Sequence, residues 1–200
     1  METLPPELRS MNFDSILLRT TDADYAQRLE RLKAEHSMGG FLQSRGQLIQ
    51  TVRNIVADVA NRGDAAVAEY TEKFDKVKLQ PAEFRIPAEE LKKAYEQLDR
   101  PLLKSLKKAI ANVRKYQSDI FIGRKNRYPG IRYMPLKRAA LCIPGASAPL
   151  PSTVIMTAVP AQAAGVQELA VFSPPRYNGS IHPVILGVCC ELGIAEVYRI

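Results

Sequence analysis

Histidine and cysteine are scarce in this chain of 200 residues, which holds two histidines and three cysteines. His36 and His182 lie far apart without a metal-binding motif, whereas a zinc site takes about four ligands at workable spacing. Both histidines are therefore interpreted as helix-terminal residues. Cys142, Cys189 and Cys190 are odd in number, which indicates no disulfide framework, and their apolar context predicts reduced, buried thiols.

Long apolar runs are also absent. The sequence has no window close to the ~18 uninterrupted apolar residues that a membrane helix needs, and its first residues, METLPPELRS, contain no apolar signal-peptide core. These absences predict a cytoplasmic protein without a membrane partner. Hydrophobic residues make up 46% of the chain and charged residues 24%, which is typical of a globular protein and argues against disorder.

Positive charge is in excess. The net charge is +7, and Lys and Arg are dense between Arg114 and Arg138. Basic residues that alternate there with Phe121, Tyr128 and Tyr133 can indicate a nucleic-acid surface. Solvated loops between a helix and a strand have the same composition, however, and the sequence contains no helix-turn-helix, zinc-finger or RRM pattern. We therefore predict no nucleic-acid partner.

The C-terminal third alternates strand and helix patterns. Short apolar runs predict strands at Ala139–Ile143, Leu169–Phe172 and Val197–Ile200, with helices at Val154–Ala164 and Pro183–Leu192 between them. Pro144-Gly145 closes the first strand, which the apolar run predicts to be buried on both faces. Ser152 or Thr153 can cap the first helix, and Gly165 can take the left-handed position after it. Strands separated by such helices pair in parallel, so we predict an α/β fold with a partial doubly wound, Rossmann-like sheet.

Helical spacing dominates the N-terminal half. Apolar and turn residues predict, in chain order, a helix through Leu48, Val52, Ile55, Val56 and Val59, a helix from Asp64 to Phe74, a strand Phe84–Ile86, a helix opening at Pro87 and a helix Leu102–Ile120. Gly63 ends the first of these helices, and Asp64 can cap the next. Gly, Pro, Asn and Arg dominate Gly123–Leu136, so we expect a boundary there between a mainly helical part, residues 1–138, and a sheet part, residues 139–200.

The turn Pro144–Pro149 joins a strand end to a helix start, a position where backbone N–H groups can approach a phosphate. It holds one glycine where the dinucleotide fingerprint has three, and it lacks the lysine of a P-loop. Cys142 lies beside this turn, at the strand end where doubly wound folds bind ligands. Three interpretations of Cys142 stay open: a packed strand cysteine, a cofactor contact, or a nucleophile for which no histidine is nominated as the base.

Three stretches resemble one enzyme family. They are residues 61–75, NRGDAAVAEYTEKFD; residues 143–156, IPGASAPLPSTVIM; and residues 160–166, PAQAAGV, together with Ser173-Pro174-Pro175 and residues 196–199, EVYR. In order and spacing these motifs resemble the histidinol dehydrogenases, from about residue 40 to residue 200. In that family the third strand runs into Gly-Gly-Ala-Gln, which this chain does not reach, so the chain is expected to be the N-terminal portion of such an enzyme.

The resemblance implies a discontinuous fold. Residues 1–138 would form the mainly helical N-terminal part of an α/β domain completed by downstream residues, and residues 139–200 would begin an inserted Rossmann-like domain. It also implies oxidation of L-histidinol through L-histidinal to L-histidine, with NAD as hydride acceptor and zinc holding the substrate. The partner would be a second copy of the chain, in a homodimer, or the C-terminal part.

The resemblance also implies which residues serve the reaction. Cys142, Pro144 and Gly145 would bind NAD, although Cys142 stands where the family usually has a tyrosine and Ala146 where it often has a second glycine. The zinc ligands and a proton-handling glutamate and histidine pair would lie downstream. This chain is therefore expected to hold no catalytic residue, to bind no zinc and to be inactive alone. The alternative is a stand-alone α/β protein that serves as a binding or assembly subunit.

Overall fold

The computed structural model describes residues 17–121, 132–145 and 148–200. Contacts divide the chain into two compact units, Met1–Asn61 and Arg62–Ile200. Of the predicted boundary segment, residues 123–136, only residues 132–136 are described. None of the described helices combines the length and the apolar character that a bilayer-spanning helix needs.

The described part of the first unit contains helices α1 (Tyr25–Glu35) and α2 (Met38–Arg62, whose last residue belongs to the second unit). His36 ends α1: its N–H donates to the Leu32 carbonyl at 3.1 Å, and its Nδ1 lies 2.9 Å from the same oxygen. This confirms the helix-terminal interpretation of His36. The apolar stripe predicted a helix correctly, but Leu48 remains 54% exposed on α2, and no described side chain of residues 17–61 is buried.

The second unit begins with three helices: α3 (Asp64–Asp75), α4 (Ala88–Glu96) and α5 (Arg100–Ile120). The N-cap of α3 is Gly63, at φ +59°, and Asp64 is already helical, so the predicted cap was wrong by one residue. Glycine is favoured there because a side chain is strained at positive φ. Asp99 caps α5 by accepting the Leu102 N–H at 3.1 Å.

The sheet contains three parallel strands in the order β1-β2-β3. The chain runs through β1 (Arg138–Cys142), α6 (Pro151–Ala163), β2 (Glu168–Ser173), α7 (Pro183–Glu191) and β3 (Glu196–Arg199). The α/β fold class is thereby confirmed, as is the positive φ of Gly165 after α6. The predicted caps of α6 were wrong: Leu150 is the N-cap, and Ser152 and Thr153 lie in the first turn. Pro151 begins the helix because proline loses no hydrogen bond at that position.

One face of the sheet forms the core of the second unit. Leu141, Val171 and Val197 are aligned across the three strands and are buried in one cluster with the apolar residues of α6 and α7. Helix α4 packs on α7 and α5 packs on α6, which adds a second helical layer. Leu106 and Ile110 of α5 are buried in the same cluster. The core is therefore continuous from α4 to β3.

The opposite face of β1 is exposed. Ala140 and Cys142 are exposed, so the prediction of a strand buried on both faces was wrong. The reason is positional, because β1 is an edge strand and the packed helices contact only its other face. The prediction of buried thiols was also wrong for Cys142. Cys189 is buried, and burial raises the pKa of its thiol to about 12; Cys190 is half-buried, and burial raises the pKa of its thiol too.

The predicted strand Phe84–Ile86 is reduced to a single antiparallel bridge between Arg85 and Tyr198 of β3. The Ile86 N–H donates to the Val197 carbonyl, and the Arg199 N–H donates to the Phe84 carbonyl, both at 2.8 Å. A 3₁₀ turn precedes this segment and the N-terminus of α4 follows it closely, so the extended backbone is too short for a full ladder.

Candidate functional site

A cavity of about 380 Å³ lies at the carboxyl ends of β1 and β2. Its walls come from the turn after β1, the turn after β2 and the start of α7, and they contain Pro144, Gly145, Ala148, Pro149, Ser173, Pro174, Arg176, Tyr177, His182 and Ile185. Parallel α/β sheets bind ligands at this end because the loops that follow neighbouring strands converge there. The position of the cavity therefore makes it the candidate site.

The two strand-end turns touch at Gly145. A Cβ atom added to this glycine would lie 2.4 Å from Cγ of Pro174, which is closer than non-bonded carbon atoms can approach. Glycine is required here by this close contact between two turns. The contact also fixes the distance between the loops after β1 and β2, and hence the width of the cavity.

Arg176 holds the first turn in place. Its Nε donates to Oδ1 of Asp75 at 2.8 Å, and its Nη1 donates to the Gly145 carbonyl at 3.2 Å. Asp75 is the last residue of α3 and its side chain is only 12% exposed, so the ion pair anchors the turn to a helix. The guanidinium thereby lies in the wall of the cavity, and its charge is balanced by Asp75.

His182 and Tyr177 form the far wall. His182 is the N-cap of α7, where its Nδ1 accepts the Val184 N–H at 3.2 Å, so a neutral ring carries its proton on Nε2. The Tyr177 ring meets the imidazole edge-on, with 4.5 Å between ring centroids. Asn178 and Gly179, both at positive φ, form a tight turn closed by reciprocal Tyr177 and Ser180 backbone hydrogen bonds, which fixes Tyr177. The helix-terminal interpretation of His182 is confirmed, and the structure adds this residue to the cavity wall.

The cavity favours an anionic ligand with a flat apolar part. Among the described residues that line it, there is one guanidinium and no carboxylate. The N-termini of α6 and α7 begin at its rim, where the helix dipoles place partial positive charge. Pro149, Pro174 and Ile185 supply apolar surface of the kind that ring systems bind.

Two of the three residues predicted to bind the cofactor lie in this wall. Pro144 and Gly145 line the cavity, whereas Cys142 is exposed at the end of β1, in register with Phe172, and does not line it. Arg176 and Tyr177 were missed by the sequence analysis. The topology could have identified them, because both residues follow the second strand of a βαβ unit. The loop after that strand lies beside the turn that follows the first strand.

Metal ligands do not cluster in the described part of the chain. No three of its histidine, cysteine, aspartate or glutamate side chains come together in a way that could hold a metal ion. His182 has its Nδ1 engaged as a helix cap, and Asp75, which contacts the cavity wall, is paired with Arg176. The residues of this site therefore do not fit zinc.

Comparison with known proteins gives one family. The model of the family described as histidinol dehydrogenase matches residues 42–200. The chain is 39% identical to the histidinol dehydrogenase of Synechococcus sp. (75% of this chain, 36% of the relative) and 41% identical to that of Corynebacterium efficiens (76% and 35%). Identity to the Geobacillus kaustophilus enzyme is 34% (86% and 42%).

A solved structure agrees with the sequence comparisons. The crystal structure of histidinol dehydrogenase from Elizabethkingia anophelis matches with a TM-score of 0.68 and 30% identity, over 76% of this chain and 36% of that one. The chain thus spans between about a third and two fifths of the length of the relatives it matches. The matched family model covers well over half of the chain, and the motifs around the cavity lie within it. The chain belongs to the histidinol dehydrogenase family.

Proposed function

We propose that this chain provides the N-terminal part of an NAD-dependent histidinol dehydrogenase, which oxidises L-histidinol through L-histidinal to L-histidine. Family membership supports the reaction, and one observation supports the role of this part. The cavity at the carboxyl ends of β1 and β2 is lined by Pro144, Gly145 and the Arg176 guanidinium, and two helix N-termini begin at its rim. A dinucleotide carries negative phosphates and flat rings, which is the ligand chemistry that such a wall favours.

Within this proposal, the cavity residues bind and orient the cofactor. The turn at Pro144-Gly145 and the N-terminus of α6 would face the phosphates, and Arg176 would add a guanidinium hydrogen bond. Pro174 and Ile185 would pack against a ring. NAD itself supplies the hydride-accepting nicotinamide when bound. For Cys142, the proposed contact with the cofactor is supported only by its position at the end of β1, next to the turn, because Cys142 does not line the cavity.

The remaining functions are proposed for polypeptide outside this chain. The described residues do not fit zinc, so none of them is given a role at the metal. Within this proposal, residues 1–138 contribute to one discontinuous domain and residues 139–200 open an inserted Rossmann-like domain. The partner would be a second copy or the C-terminal part of the family polypeptide, and the expected compartment is the cytoplasm.

Cofactor titration tests the proposal directly. We expect the 200-residue chain to bind NAD measurably by calorimetry and to form no NADH from L-histidinol when incubated alone. Gly145→Val should weaken NAD binding at least tenfold, because its side chain would collide with Pro174 and displace the turn. Gly46→Ala is the matched control, since a Cβ there meets nothing within 4 Å. A chain that binds no NAD, or binds it equally well with Val at position 145, would favour the non-catalytic binding or assembly subunit.

A further inference from the structure

The loop after β2 brings an arginine, and no carboxylate, to the candidate site. Arg176 lies three residues beyond the end of β2 and lines the cavity, as does Ser173, the last residue of that strand. Glu168 is the only acidic residue in the sequence from residue 146 to residue 190. It begins β2, where it forms an ion pair with Arg138, and so lies at the end of the strand opposite to the cavity.

A carboxylate beside the cavity would decide between two forms of a dinucleotide. In dinucleotide-binding βαβ units, an aspartate or glutamate about 20 residues beyond the glycine turn hydrogen-bonds the ribose 2′-hydroxyl of NAD. The same carboxylate repels the 2′-phosphate of NADP, because the two charges are alike. An arginine in its place accommodates that phosphate. The loop after β2 in this chain has the arginine and lacks the carboxylate.

The guanidinium of Arg176 keeps most of its hydrogen-bonding capacity. Of its five N–H groups, the one on Nε donates to Asp75 and one on Nη1 donates to the Gly145 carbonyl. The other N–H groups, on Nη1 and Nη2, donate to none of the residues that the structure describes. The Arg176 side chain is 57% exposed, so a ligand in the cavity can reach these groups.

Asp75 does not replace the missing carboxylate. Its side chain is largely buried, its Oδ1 accepts the Nε–H of Arg176 at 2.8 Å, and it does not line the cavity. Its negative charge reduces the attraction of Arg176 for an anion without blocking the free N–H groups. Removal of this charge should therefore strengthen the binding of a phosphate to the guanidinium.

We infer that the candidate site accepts NADP as well as NAD, with the 2′-phosphate bound by the guanidinium of Arg176. The phosphate oxygens would accept the free N–H groups of Nη1 and Nη2, and such charge-assisted bonds to a guanidinium are among the strong ones. No carboxylate of the loop after β2 would oppose the phosphate. This inference rests on the proposed function, because it takes the ligand of the cavity to be a dinucleotide.

Calorimetry with four compounds is the experiment. The 200-residue chain is titrated with NAD and NADP, and with their adenosine halves, 5′-AMP and 2′,5′-ADP. We expect NADP to bind at least as tightly as NAD, and 2′,5′-ADP to bind more tightly than 5′-AMP. Arg176→Gln should lower the affinity for NADP relative to that for NAD by about tenfold, because it removes the charge-assisted contact. Asp75→Asn should raise the same ratio.

The ratio of the two affinities separates a phosphate contact from a purely structural role. If Arg176 only held the turn at Gly145, its loss would weaken NAD and NADP equally. Arg114→Gln is the matched control, since this exposed arginine of α5 donates to Gln162 and does not line the cavity, and the ratio should stay at the parental value. Thermal melting verifies that each variant is folded. Arg176→Lys keeps the charge and should retain part of the preference for 2′,5′-ADP.

The outcomes distinguish this inference from the proposed function. Tighter binding of NAD than of NADP, or an equal loss of both in Arg176→Gln, would overturn the inference and leave the proposed function in place. Binding of 2′,5′-ADP without binding of NAD would support the contact at Arg176 and overturn the proposed function. If none of the four compounds bound, both would be overturned.

Discussion

Helices α2 and α5 have apolar stripes of similar spacing, and the two stripes lie in opposite surroundings. Leu48, Val52 and Val56 of α2 are all more than half exposed, whereas Leu106 and Ile110 of α5 are buried against the second unit's core. Helix α5 packs on α6, which itself contacts β1 and α7. The stripe of α5 is thus one layer of a continuous core, whereas the stripe of α2 consists of exposed side chains.

The difference shows what helical periodicity can and cannot establish. Apolar residues at positions three and four apart predict a helix because they share one face of a 3.6-residue turn. The stability of that helix depends on the surface that the face covers, since isolated helices are marginal in water. Substitutions matched between the two units therefore measure the contribution of the core.

The largest effect is expected from removing a core side chain. Leu106→Ala should lower the free energy of unfolding by about 2–5 kcal/mol, because it leaves a cavity between α5 and the core. The same change in α2, Leu48→Ala, should stay within about 0.5 kcal/mol. Urea titration followed by circular dichroism measures both. Equal losses would mean that the stripe of α2 is packed in solution.

The buried thiol should make stability depend on alkaline pH. The pKa of Cys189 is about 12 in the folded chain against an ordinary 9.0, so the unfolded state loses this proton first as pH rises. Above about pH 9, ionisation of this thiol in the unfolded state should lower the free energy of unfolding by roughly 1 kcal/mol per pH unit. Below about pH 9, the thiol should have no effect on stability. Denaturation at pH 8 to 10.5 should show a weaker slope for Cys189→Ala than for the parent. Cys142→Ala, at the exposed thiol, should keep the parental slope.

Two glycines in helices give the next contrast. A Cβ at Gly187 of α7 would lie 2.6 Å from Cδ1 of Leu98, so Gly187→Ala should lower stability by about 1–2 kcal/mol unless Leu98 moves aside. At Gly46 of α2 the space is open, and Gly46→Ala should raise stability by about 0.5–1 kcal/mol through helix propensity alone. Thermal melts would contradict this contrast if both changes stabilised the chain.

The smallest effect is expected at the ion pair of the cavity wall. Asp75→Asn removes the charge that Arg176 contacts and should lower stability by about 1 kcal/mol, because the Asp75 side chain is largely buried. Glu35→Gln breaks the exposed pair with Arg31 in α1 and should cause no measurable change. Denaturant midpoints measured at low and high salt test this prediction. If Asp75→Asn left the midpoint unchanged at both salt concentrations, the ion pair would not stabilise the chain.

The strands and helices could be predicted from neighbouring residues in the sequence. The candidate site could be predicted only in part. The strands and helices of residues 138–200 were located to within three residues because Gly165, at positive φ, follows the first helix and Pro183 begins the second. Pro144 and Gly145 were found because a strand end that meets a helix start is visible in one stretch of sequence. Arg176 was not, since its contacts with Asp75 and Gly145 join residues 101 and 31 positions apart.

The sequence by itself determined the element types of residues 138–200, the parallel pairing of their strands and the family, because periodicity, turn residues and motifs are properties of neighbouring positions. Tertiary structure alone decided which surfaces are covered. Ala140 and Cys142 belong to an apolar run that looks like a central strand, yet they are exposed because no element among the described residues packs on that side of β1. The closure of β3 by Phe84 and Ile86 is likewise a contact across more than a hundred residues, and only the folded chain brings those groups within hydrogen-bond distance.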